Sequence, residues 1–197
     1  MTLSLNLLHP LLALPPATCA GALAVVVNCS WPLQRSRRVI LALQTASALL
    51  FGLHYLLLGA PTAAAMNAAG VIQAVSAATI GNRRLRLSVF GATIAAALAT
   101  TVATFAGVTS VLAEAGGLLS ALGRLQRGAQ AIRWCFLGSE VFWVSHNLLV
   151  GSRWGLTSDA LAVVTLLLGL WRGGALATLR GSARRLAAAV RRRRQFS

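Results

Sequence analysis

Long apolar runs divided by clusters of arginine are the feature that most limits how this chain can fold. A helix needs about 20 apolar residues to cross the hydrocarbon core of a bilayer. Read against that length, the spans run from Leu11 to Asn28, Val39 to Leu58, Pro61 to Ile80, Leu87 to Ala106, Ser110 to Gly123, Trp134 to Val150 and Leu156 to Trp171. The fifth is short and carries Glu114, so six spans is the nearest alternative count. Pro15 and Pro16 fall in the outer turns of the first span, and Pro61 suits the first turn of the third, where its missing N–H costs nothing.

Composition agrees. Only 11% of the residues are charged, against about a quarter in a soluble domain whose surface must face water. All the basic side chains are arginine, and the acids are Glu114, Glu140 and Asp159 alone. A net charge of +15 invites a nucleic-acid reading, but arginines lying in short clusters between apolar runs are the pattern of cytoplasmic loops. No nucleic-acid partner is therefore expected. The fold class expected is an all-α membrane protein.

Orientation follows from the same clusters. With the N-terminus outside, Arg35, Arg37 and Arg38, then Arg83, Arg84 and Arg86, then Arg124, Arg127 and Arg133, then the tail all fall in the cytoplasm, leaving Arg153 alone outside. That alternation satisfies the positive-inside rule and predicts an inner-membrane protein with its C-terminus cytoplasmic. No Lys or Arg precedes Arg35, so the basic region of a cleaved signal is missing and the first span is expected to be retained. In the tail, Leu176, Leu179, Ala183, Leu186 and Val190 repeat at helical spacing before Arg191 to Arg194. This reads either as an amphipathic helix held to anionic lipid or as a basic tail that sets topology. Cys19, Cys29 and Cys135 are odd in number and contain no CxxC pair, which leaves little support for a disulfide framework or a zinc site.

The chain also repeats itself. A shift of 92 residues lays Ser47 on Ser139, Phe51 on Trp143, His54 on His146, Leu56 on Leu148, Leu57 on Leu149 and Gly59 on Gly151, and continues to pair Asn67 with Asp159. The expected organisation is a first three-helix repeat in 1–81, a basic loop and linker helix in 82–107, a second repeat in 108–172 and an arginine-rich cytoplasmic tail in 173–197. An odd linker restores the same direction, so the two bundles are parallel repeats. In transporters built this way substrate sites lie at the repeat interface.

Polar groups within the bilayer are costly and need an interior partner or a function. On the sixth span Glu140, Trp143 and Asn147 share a face, with Ser139 and His146 beside them; on the second, Gln44, Ser47, Phe51, His54 and Tyr55 make the equivalent face. An aromatic among amides, hydroxyls and imidazoles suits a small polar ligand. The candidate ligand-binding residues are Gln44, Ser47, Phe51, His54, Asn67, Glu140, Trp143, His146, Asn147 and Asp159. The plainer readings are that each His bridges neighbouring helices, that Asp159 pairs with Arg153 or Trp154 at the outer interface, and that Glu114 is structural. Ser139 and His146 lie two turns apart, about 10 Å by helical rise, too far for direct proton transfer. With no phosphate loop, HExxH or lysine, neither an enzyme nor a cofactor or metal is expected.

Several of these segments resemble a known family. Gly52, His54, Tyr55 and Gly59 with the Ala/Asn-rich third helix, then Trp143, Ser145, His146, Asn147 and Gly151, and the ending Gly169-Leu-Trp171-Arg172, are similar to bacterial inner membrane proteins of the YgjV type over residues 10–172. In plan the chain also resembles the SWEET, PQ-loop and PnuC-type transporters, with three, one and three helices. Trp143 and Asn147 are similar to a binding-site pattern of PnuC-type vitamin transporters, and Asn67 and Asp159 to the paired third-helix asparagines of SWEETs. The first repeat departs from the pattern with Phe51 and Tyr55, and Pro-Gln dipeptides are absent. The duplicated polar and aromatic face points to a transporter or facilitator of a small polar solute, with the likeness of plan as an analogy. The alternative is a membrane assembly or regulatory protein acting through its basic tail. Sparse charge disfavours a highly anionic ligand, and a homo-oligomer is compatible with either reading.

Overall fold

A computed structural model describes residues 15–174. The predicted tail helix and residues 11–14 of the first span lie outside them. Within them the protein is helical without strands, in the order α1 (Pro16–Ser30), a 3-10 turn (Trp31–Leu33), α2 (Arg37–Leu57), α3 (Pro61–Thr79), α4 (Arg83–Ala103), α5 (Val108–Leu125), α6 (Ala129–Val150) and α7 (Arg153–Arg172).

The local signals that start and stop these helices are simple. Pro16 and Pro61 sit in the first turn of α1 and α3, where their missing N–H would have no helical partner. Pro16 therefore opens the first helix instead of lying inside it. Asn82 caps α4 by accepting from the Arg84 and Leu85 amides, and Ser152 caps α7 by accepting from Gly155 N at 3.0 Å, each satisfying otherwise free donors. Gly59 and Gly151 follow α2 and α6 with φ of 71° and 68°, the left-handed conformation that glycine adopts without strain.

Several helices begin before the apolar run predicted for them. α2 starts at Arg37 rather than Val39, α4 at Arg83 rather than Leu87, α6 at Ala129 rather than Trp134 and α7 at Arg153 rather than Leu156. Hydropathy marks the hydrocarbon-crossing part, whereas the helical hydrogen bonds continue into the interface. Most of the arginines assigned to loops thus sit on helix ends, while Arg35 and Arg127 stay in the connections. Arg37 donates to the carbonyls of Ala77, Arg124 and Gln126, and Arg133 to those of Pro32 and Gln34 and to Gln130 Oε1.

Among the described residues four spans are long and apolar enough to cross a membrane: Pro16–Leu33, Arg37–Leu57, Arg83–Ala103 and Arg153–Arg172. The remaining helices α3, α5 and α6 carry much of the polar interior, including Gln73, Glu114, Arg124, Arg133, Glu140 and Asn147, which lowers their mean hydropathy. Outward faces are apolar: Val102 is 77% exposed and Trp171 71%. A water-soluble monomer rarely shows a surface of this kind, and a bilayer covers it.

α2 packs on α1 and α3, and α6 on α5 and α7. α1 meets α7, α3 meets α5, and α4 rests against α3 and α5. One buried cluster joins Val25, Phe51, Tyr55, Met66 and Ala113, a second Trp31, Ile40, Ile132, Phe136 and Leu166, and a third Leu41, Ala74, Phe90 and Ala121. Between these clusters lies a cavity.

Candidate functional site

The cavity has a volume of about 70 Å³, room for roughly five waters at 10–15 Å³ each. Of the ten residues singled out from the sequence, Gln44, Ser47 and Phe51 line it from α2, Asn67 from α3, Glu140 and Trp143 from α6 and Asp159 from α7.

The aromatic wall is a stack. Phe51 and Tyr55 lie 5.9 Å apart at 25°, and Tyr55 and Trp143 6.1 Å apart at 18°. Such offset arrangements are favourable beyond the area they bury. Trp143 has room because Gly116 faces it: a Cβ there would fall 2.9 Å from the indole Nε1.

The polar wall is unevenly satisfied. Asn28 donates to Ser158 Oγ at 2.9 Å and accepts from Ser47 Oγ at 3.2 Å and Trp31 Nε1 at 3.0 Å. Ser120 Oγ lies 3.4 Å from Ser139 Oγ. Asn67 donates to Ala63 O at 2.9 Å. The carboxyls of Glu140 and Asp159 lie beside each other, and Asp159 accepts from Asn147 Nδ2 at 2.8 Å. Gln44, by contrast, is buried with both amide atoms unpartnered, and so is Glu140 Oε2. Buried polar atoms normally find partners, so orphans on a cavity wall mark where a ligand or water bonds.

Three of the singled-out residues stand behind the cavity. His54 donates from Nδ1 to Ala17 O at 2.8 Å, and its Nε2 hydrogen-bonds Ser152 Oγ at 3.0 Å. His146 donates from Nδ1 to Thr109 O at 2.9 Å, and its Nε2 is unpartnered. Both histidines bridge helices. Asn147 accepts from Tyr55 Oη at 2.7 Å while holding Asp159, so it orients the wall. Asp159 turns inward to Asn147 and Glu140 rather than to Arg153 or Trp154 at the interface. Glu114 accepts from Thr101 Oγ1 at 2.7 Å.

The most consequential residue missed in the sequence is Arg124. Counted there with the cytoplasmic loop, it lies within α5, 8% exposed, and lines the cavity. It donates to Gln73 Oε1 at 3.2 Å and sits 5.4 Å over the Phe136 ring, with Nε unpartnered. Gly70 leaves it space, since a Cβ there would fall 2.9 Å from Nη2. Its isolation between Gly123 and the apolar Leu125 was a usable signal, because an arginine one residue inside a helix end can still turn inward.

Comparison with known proteins agrees with the membrane reading. The model of the Imp-YgjV family, described as bacterial inner membrane protein, matches residues 16–176. No curated protein and no solved structure matches. With most of its length covered, and with helices apolar enough to cross a bilayer several times, the chain belongs to the Imp-YgjV family of bacterial inner membrane proteins.

Proposed function

We propose that the protein is a transporter or facilitator of a small polar solute, built as two parallel three-helix repeats joined by α4, with the solute site between them. The observation that carries this reading is the cavity itself: residues of α1–α3 and of α5–α7 line it together, and the buried Gln44 amide meets it with both atoms unpartnered.

Hydrogen bonds at matched positions support the repeat. His54 and His146 each bond a carbonyl 37 residues earlier, Ala17 and Thr109. Ser47 meets Asn28, and Ser139 meets Ser120, each across 19 residues. The contacts of α3 with α5 and of α7 with α1 are the pair that a two-fold axis along the membrane normal requires. The likeness to SWEET, PQ-loop and PnuC-type transporters enters as an analogy of plan. The N-terminus lies outside and the C-terminus in the cytoplasm, on the arginine distribution.

The test is flux. Purified protein in proteoliposomes is expected to carry one class among sugars, nucleosides, vitamins and amino acids saturably, with flux lost in Trp143→Ala and Gln44→Leu. Absence of saturable flux from folded, inserted protein overturns the reading.

A further inference from the structure

The charges of the cavity narrow the solute. Arg124 is a buried guanidinium that, among the described residues, pairs with no acid; its contacts are the Gln73 amide and the Phe136 ring. Glu140 and Asp159 contact each other and Asn147, and no basic side chain among the described residues pairs with them. All three line one cavity. Phe136, beneath the guanidinium, is one turn before Glu140 on the same helix, about 6 Å of rise. Arg124 and the Glu140–Asp159 pair therefore line one cavity without joining in an ion pair. A charge at this depth is expensive while uncompensated, and each has an unpartnered polar atom, Arg124 Nε and Glu140 Oε2. On the same cavity wall Gln44 offers a free donor and a free acceptor.

A singly charged ligand would satisfy one end and leave the other bare. Resting on the transporter reading above, we propose that the cavity takes a compact zwitterion, its carboxylate on Arg124 and its ammonium between the Glu140–Asp159 pair and the Trp143 ring. An indole face attracts a cation, and a guanidinium forks onto a carboxylate. Room for roughly five waters limits the skeleton to a few carbons, the size of the smallest amino acids.

The full-length protein in proteoliposomes is offered radiolabelled glycine and L-alanine beside the size-matched propionate, ethylamine and glycerol. Saturable flux of glycine or L-alanine, about tenfold or more above that of propionate and ethylamine and lost in Glu140→Gln, is the expected result. Comparable flux of a singly charged analogue, or saturable flux of glycerol alone that Trp143→Ala removes, overturns the zwitterion and leaves the transporter reading standing. Binding is read separately in detergent, as glycine- or alanine-dependent quenching of tryptophan fluorescence. Quenching that Glu140→Gln abolishes, with no flux, upholds the zwitterion site and overturns transport. No quenching and no flux of any of these solutes, from protein with an intact helical spectrum, overturns the proposal.

Discussion

The Tyr55 hydroxyl donates to Asn147 Oδ1 at 2.7 Å, joining two residues that stand 92 positions apart. Ninety-two is the shift that lays Ser47 on Ser139 and His54 on His146, so under the proposed repeat this bond links corresponding places on α2 and α6, with Tyr55 on the cavity wall. Asn147 passes the constraint on to Asp159.

Tyr55→Phe removes the donor and leaves a buried amide oxygen bare. The expected loss is about 1 kcal/mol, measured by reversible unfolding in mixed micelles. Unchanged stability would mean that water replaces the hydroxyl and that the bond is incidental.

The two histidines differ at Nε2. Residue 152, which serves His54, corresponds to residue 60, and position 60 is alanine. Ser152→Ala orphans His54 Nε2 and a helix cap together, with an expected cost of about 1–3 kcal/mol. Ala60→Ser offers His146 the donor it lacks, and stability is expected to rise by about 0.5–1 kcal/mol. A fall on Ala60→Ser would show that the correspondence ends before this turn.

Gly116→Ala brings a methyl group to within 2.9 Å of Trp143 Nε1. Overpacking of this kind costs about 1–3 kcal/mol, and the indole must move toward the cavity. The expected outcome is a shifted tryptophan emission and loss of solute flux with the helical content retained. Normal flux would place the solute's path elsewhere.

Arg133 holds the carbonyls of Pro32 and Gln34 with separate nitrogens, tying the start of α6 to the turn after α1. Arg133→Gln is expected to cost about 2–3 kcal/mol. Lysine is expected to restore less than half, because a single ammonium cannot reproduce the fork. Full rescue by lysine would reduce the role of Arg133 to charge.

Topology is read by labelling. In a variant without Cys19, Cys29 and Cys135, an impermeant maleimide added to intact cells with permeable outer membranes is expected to modify Arg153→Cys and to spare Arg127→Cys. The reverse pattern would invert the protein.

The sequence by itself determined the solvent, the helices found among the described residues and part of the cavity wall. Runs of about 20 apolar residues have one stable form in lipid, since every backbone amide must bond within its own segment. The face containing Gln44, Ser47 and Phe51 follows from the helical period. Which side chains meet across helices was decided only by tertiary structure. His54 and His146 lie on the same faces as the cavity residues, yet bond away from the cavity to Ala17 and Thr109, while Asn147 stands behind the wall and holds Tyr55 and Asp159, because facing helices offer acceptors and donors there. Arg124 reads as a loop charge in one dimension. In three it turns inward, since Gly70 on α3 leaves the space and Gln73 supplies the bond. Periodicity tells which way a residue faces along its own helix. The partner it finds there depends on the rotation and depth of another helix, which no local pattern encodes.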